Sequence, residues 1–195
     1  LLHGPAPSAE LIGPKATLGL TGTINGSNIE ISRFDLAGRA ISASAKGDIV
    51  DKAISADWTL GLPDLAVLRP TLQGQLNLSG HVAGPLENLA LRADLRGHVA
   101  APEIPGENRS VGDFAAHVDA TGLPASPSGH ITATGELAGA PIRIDITGAR
   151  HDNALHVEIA GAEWRSLHAQ GIFDLPAGAT LPLGRLDLKI GRLAD

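Results

Sequence analysis

Polar and apolar residues alternate along most of this chain. From Leu72 the even positions read Leu72, Gly74, Leu76, Leu78, Gly80, Val82 and Gly84, and the odd positions read Gln73, Gln75, Asn77, Ser79, His81 and Ala83. Successive side chains of a strand point to opposite faces, so this stretch predicts one long strand with an apolar and a polar face. The next segment repeats the pattern: Leu89, Leu91, Ala93, Leu95, Gly97 and Val99 alternate with Ala90, Arg92, Asp94, Arg96 and His98. Similar alternation marks Ala16–Leu20, Ile29–Leu36, Ile41–Ala45, Ile54–Leu62, Phe114–Ala120, Ile131–Leu137, Ile142–Ile146, Leu155–Ile159, Leu167–Leu175 and Leu186–Ile190. A phase slip near Ser32 and Arg33 predicts a bulge. No stretch of about a dozen residues carries a helical period. The expectation is an all-β chain of about twelve long strands. The links are too short for crossover helices, so the strands are expected to be antiparallel.

Two of these strands run to about 13 residues, near 43 Å at ~3.3 Å per residue. Such length, wet on one face, favours an extended curled sheet over a small barrel. Gly74, Gly80, Gly84, Gly97, Gly135, Gly148, Gly161 and Gly171 read as lying on the apolar side. Glycine there lets a sheet coil tightly, or else marks bulges and strand ends. Two markers recur at similar intervals. One is the turn at Gly22–Gly26, Gly80–Gly84 and Gly135–Gly139; the other is Leu-Pro at Leu62-Pro63, Leu123-Pro124 and Leu175-Pro176. Together they suggest repeats of about four strands, over 15–63, 64–124, 125–176 and the start of another at 177–195.

Composition narrows the function classes. The chain has 195 residues, 43% hydrophobic and 18% charged, which excludes a disordered chain. The mean hydropathy is +0.09. A net charge of −6 argues against a nucleic-acid partner. Without Cys there is neither a disulfide nor a thiolate metal site. The lack of Met suggests a piece excised from a longer chain. No dinucleotide-binding, phosphate-loop, zinc-protease or nucleophile-elbow motif is present, and neither catalysis nor a metal or other cofactor is expected. His81, His98, His117, His130, His156 and His168 fall in the polar phase and read as solvated. Asp94, Asp119 and Glu158 share that face and read as solubilising charges, and Trp58 reads as packing on the apolar face.

The apolar face is therefore the informative feature. No amphipathic helix exists to cover it, so the sheet packs on a second sheet, closes on itself, or curls around something apolar. Stretches such as LQGQLNLSGHVAGPLENLALRADLRG and SGHITATGELAGAPIRIDITG resemble the repetitive β-region of the TamB family, the large AsmA-like proteins of the Gram-negative envelope. The similarity spans about Lys15 to Asp195 and is one of turn rhythm and small aliphatics, not of a catalytic signature. It implies a taco-like β-groove with an apolar concave face, within a periplasm-spanning protein anchored in the inner membrane. It further implies phospholipid transfer to the outer membrane and a part in autotransporter and outer-membrane protein assembly with a TamA-like barrel, through regions this chain lacks. The groove lining carries over to Leu76, Leu78, Val82, Leu89, Leu91, Leu95, Ile131, Leu137, Ile142, Ile144, Leu155, Val157, Ile159, Leu167 and Phe173, which the alternation also selects. Two other readings stand beside it. One is a chaperone that binds nascent outer-membrane strands along a sheet edge. The other is an ordinary closed β-sandwich or adhesin module.

Overall fold

A computed structural model describes residues 12–67, 73–101, 110–137, 139–178 and 181–191. It contains twelve strands: β1 (Thr17–Asn25), β2 (Asn28–Ala37), β3 (Ser42–Val50), β4 (Ala53–Leu62), β5 (Gln73–Pro85), β6 (Asn88–Ala101), β7 (Ser110–Pro124), β8 (Ser128–Leu137), β9 (Ala140–His151), β10 (Ala154–Trp164), β11 (Leu167–Pro176) and β12 (Leu183–Ile190). They form one sheet whose spatial order is the chain order, with every neighbouring pair antiparallel. The sheet is an up-and-down meander that does not close, and it curls around its apolar face. Leu72, where the alternation begins, lies outside the described residues.

Short turns enforce the meander. Asp51 and Lys52 join β3 to β4 with φ of 49° and 66°. Two consecutive left-handed residues are the signature of the hairpin turn whose twist matches that of the flanking strands. The link from β4 to β5 is longer and carries one turn of 3-10 helix, Leu65–Val67, which the alternation does not predict. Asp64 nucleates it by accepting a hydrogen bond from the Ala66 amide at 2.9 Å.

Among the described residues three bulges keep the apolar phase on one face. The slip expected near Ser32 and Arg33 is a bulge between Ile31 and Phe34, which also shifts the register against β1 at Thr21 and Gly22. The others lie opposite Leu89–Leu91 around Gly122 and between Ile159 and Ala162. The last corrects one expectation. Gly161 sits opposite Asp145, in the polar phase, because the extra residue in β10 reverses its alternation there. Strand β7, expected as seven residues, runs for 15. The small and polar positions beyond Phe114–Ala120 hide its length.

Among the described residues no second layer covers the sheet. The substantial contacts between strands all join chain neighbours. Among the described residues the fully buried hydrophobics are Ala40 and Leu65 alone. A sandwich would bury the whole inner face of each sheet, so the closed sandwich is overturned. The accessible surface is 13392 Å², against about 8,700 Å² for a compact chain of this mass.

Glycine and aromatic positions interlock on the apolar face. A Cβ on Gly80 would stand 2.5 Å from the Trp58 ring and 2.5 Å from the Arg92 carbonyl oxygen. A Cβ on Gly97 would stand 2.7 Å from the Phe114 ring and one on Gly135 2.6 Å from Phe114 Cβ, while Cβ atoms on Gly171 and Gly184 would stand 3.1 and 2.8 Å from the Phe173 ring. The rings lie down over bare backbone, which lets strands approach and keeps the face low. Gly80→Ala should therefore destabilise the chain by about 1–3 kcal/mol in urea unfolding. Gly161→Ala, where a Cβ meets nothing within 4 Å, should stay within about 0.5 kcal/mol. Equal effects at the two positions would refute this packing.

Candidate functional site: the apolar groove

Register pairs place directly opposed residues on the same face, so each transverse row can be followed from edge to edge. One row reads Leu18, Leu36, Ala43, Leu60, Leu78, Leu95, Ala116, Ala133, Ile144, Ala162, Ala169 and Leu188. All are aliphatic, one from each of the twelve strands. The row beside it reads Leu20, Phe34, Ala45, Trp58, Gly80, Ala93, Val118, Ile131, Ile146, Ile159, Gly171 and Leu186. The row that flanks the first on its other side, on the opposite face, reads Thr17, Ala37, Ser42, Gly61, Asn77, Arg96, Ala115, Thr134, Arg143, Glu163, His168 and Lys189. Along these rows one face is thus continuously apolar, aliphatic except at Phe34 and Trp58, and Arg150 joins it near the β9–β10 turn, opposite Leu155. With strands about 4.8 Å apart and about ten residues long it covers roughly 1,700 Å², against the few hundred Å² that soluble monomers usually expose.

The sequence-predicted lining residues lie together on this face. Leu76, Leu78, Val82, Leu89, Leu91, Leu95, Ile142, Ile144, Val157, Ile159, Leu167 and Phe173 are half-buried. Ile131 and Leu155 are more open, at 42% and 37%. Leu137 holds a register position opposite Ala140, and its side chain lies outside the described residues. The expected lining set leaves out further members of the face: Leu36, Leu60, Val118 and Ile146, which lie within the alternating segments, belong to it by the same register. Half-burial without a core is what a curled single layer produces, since neighbouring side chains crowd one another but nothing caps them. On the edge strands, which have one neighbour instead of two, Leu18 and Leu188 rise to 68% and 56% exposure.

The polar face is more organised than solvated histidines would be. His81 Nδ1 lies 2.8 Å from Asp57, His98 Nδ1 2.6 Å from Asp113, His130 Nε2 2.8 Å from Asp145, and His156 Nδ1 2.8 Å from Asp174. His117 touches two carboxylates, Asp94 at 2.9 Å and Asp119 at 2.8 Å. His168 lies 3.7 Å from Glu163. Hydrogen bonds to Asp94 first and Asp119 second raise the His117 pKa above its ordinary 6.5. Apart from Asp119, two residues from His117 on β7, the partner carboxylates sit on neighbouring strands, so alternation places each group on the face without revealing its partner. Open depressions of about 490 and 740 Å³ also lie on this face, around Ala115 and around Asp48. Among the described residues no set of three His, Cys, Asp or Glu is arranged to hold a metal ion. No described helix is long and apolar enough to cross a membrane.

Comparisons with protein-family models, curated proteins and solved structures give no match to this chain.

Two outcomes follow from an uncapped face. Leu78→Arg should leave the chain folded at a cost below about 2 kcal/mol, because the guanidinium can reach solvent from an open groove. A capped core would lose about 4 kcal/mol or more. Asn77→Arg, one residue away on the polar face, should change stability by less than about 0.5 kcal/mol. Outright unfolding of Leu78→Arg in thermal melts would show that the face is a core. EDTA should leave the melting temperature unchanged, and a drop of several degrees would place a structural metal among the histidines.

Proposed function

We propose that this chain is a non-catalytic segment of a TamB-like envelope protein whose groove carries phospholipid acyl chains between membranes. One observation carries the reading: a continuously apolar surface runs across twelve strands, and no part of the described chain covers it. A surface of that size in water favours an apolar occupant. The row chemistry suits acyl chains. The two central rows of the groove are apolar throughout, whereas a site selective for one small molecule would fix its ligand with a few converging polar groups. The polar face meets water and keeps the segment soluble in the periplasm. Assembly with a TamA-like barrel, and support of outer-membrane protein and autotransporter assembly, would run through regions outside this chain.

A second reading draws on one further feature. Among the described residues strand β1 pairs on one side only, and it bears no charged residue and no proline and is exposed along its length. Charged residues, prolines and cover are the usual guards of an edge, so β1 could accept a partner strand by β-augmentation.

The test separates the two. The purified chain, mixed with phosphatidylethanolamine and phosphatidylglycerol in mild detergent, should retain phospholipid under native mass spectrometry. A photocrosslinker at position 78 or 95 should capture lipid, and one at 77 or 94 should not. Capture at both phases, or at neither, would defeat the conduit reading. Capture of an extended outer-membrane peptide at β1 without lipid at 78 or 95 would favour the edge reading. In the full-length protein, Leu95→Arg should abolish transport while Asp94→Arg leaves it within about twofold, since only the former sets a charge in the apolar path.

A further inference from the structure

The histidine contacts on the polar face have a regular placement. They bridge β4 to β5, β6 to β7, β8 to β9 and β10 to β11, which are alternate interfaces of the sheet. The densest group lies between the two longest strands. His117 on β7 stands opposite Asp94 on β6 and bonds to it, while its second ring nitrogen meets Asp119 two residues along its own strand. Asp119 also accepts a hydrogen bond from Arg92 Nε at 3.1 Å. The remaining polar-face positions around His117 are Arg96 on β6, Ala115 on β7, and His130, Thr132 and Thr134 on β8. His130 is itself bonded to Asp145 on β9.

We infer that the Asp94–His117–Asp119–Arg92 cluster is a proton-operated clamp between β6 and β7, which strengthens the middle of the sheet as pH falls toward mild acidity. The charge arithmetic gives the direction. With His117 neutral, two carboxylates face one guanidinium and the hydrogen-bonded cluster carries one net negative charge. A neutral imidazole also has only one N–H, so it can donate to one of the two carboxylates and turns a lone pair toward the other. Protonation supplies the second N–H, satisfies both carboxylates, and brings the cluster to neutrality. Each bond then becomes charge-assisted.

The pH window follows from linkage. A histidine whose pKa is raised in the folded state adds stability that is fully present below its unfolded value and is lost as pH rises through the folded one. The clamp is therefore fastened below about pH 6.5 and released as pH rises through the raised His117 value. Exposed ion pairs are individually weak. Here the clamp matters because cross-strand contacts are the main stabilising unit of a sheet with no core beneath it. It lies directly behind the groove, since Ala93, Leu95, Ala116 and Val118 project from the same strands to the apolar face. The inference stands on the polar face alone and does not depend on what the groove holds.

The experiment is a histidine titration by NMR of the 195-residue chain, paired with thermal melts between about pH 6.5 and 8. His117 should titrate above His151, whose ring contacts the His156 ring and no described carboxylate. The wild-type melting temperature should rise as pH falls across that window. His117→Gln should flatten the rise and His151→Gln should leave it intact. Asp94→Asn should lower the His117 midpoint toward that of His151, a readout that survives if His117→Gln folds poorly. The proposal is overturned if His117 titrates at or below His151. It is equally overturned if His117→Gln keeps the wild-type pH slope, or if Asp94→Asn leaves the midpoint where it was.

Discussion

Everything in this protein depends on strand pairing between chain neighbours. A globular domain holds its strands against a second layer, and apolar burial between layers supplies most of its stability. Here that second layer is missing among the described residues. Backbone ladders and the side-chain contacts along each interface hold the sheet, and the apolar face contributes only what curling allows it to hide. The dependence explains several features together. Strands are long because each interface must supply many pairs. Turns are tight, as at Asp51-Lys52, because a slipped register would turn aliphatic side chains toward water. Glycines lie under Trp58, Phe114 and Phe173 because the only available packing is within the plane of the sheet.

The two faces then divide the work. The apolar face gains from crowding along its rows, with Leu, Ile and Ala opposed strand after strand. The polar face cannot gain from burial, so it is stitched by directional contacts: five cross-strand histidine–aspartate links within hydrogen-bond distance, Arg92 to Asp119, and the hydroxyl pair Ser44–Thr59 at 2.7 Å. Such pairs are individually small in water. Distributed across the interfaces, they favour the correct register and oppose slippage. A sheet of this kind can present a large apolar surface without collapsing, because its shape is set by pairing and not by burial of that surface.

The architecture was legible in the sequence because period-two alternation is a local signal that long one-sided strands display in full. The number of strands, their antiparallel order, the bulge near Ser32 and the apolar phase of Leu76 through Phe173 all follow from it. What escaped were features that alternation does not encode. The bulge at Ile159–Ala162 reverses phase where the sequence shows only Ala160-Gly161-Ala162, three small residues compatible with either face. The full length of β7 is masked by Ser110, Gly112 and Thr121, which give no contrast between faces. The His117 cluster is invisible because its partners lie 23 residues away at Asp94 and two away at Asp119, and only register brings them together. The question of a second sheet was equally out of reach, since a sandwich and an open groove share one alternation.

The central claim is that the aliphatic face is uncapped and accessible to an apolar occupant. The chain has no native cysteine, so single cysteines introduced along β5 from 75 to 82 can each carry a polarity-sensitive fluorescent label without background. In buffer every position except 80, where the Trp58 ring leaves no room for a side chain, should label readily. On addition of phospholipid micelles, emission at 76, 78 and 82 should shift to the blue while 75, 77, 79 and 81 stay unchanged, giving a period of two. If the even positions resist labelling in the folded chain, or if lipid shifts both phases alike, the face is covered or unselective and the account is wrong.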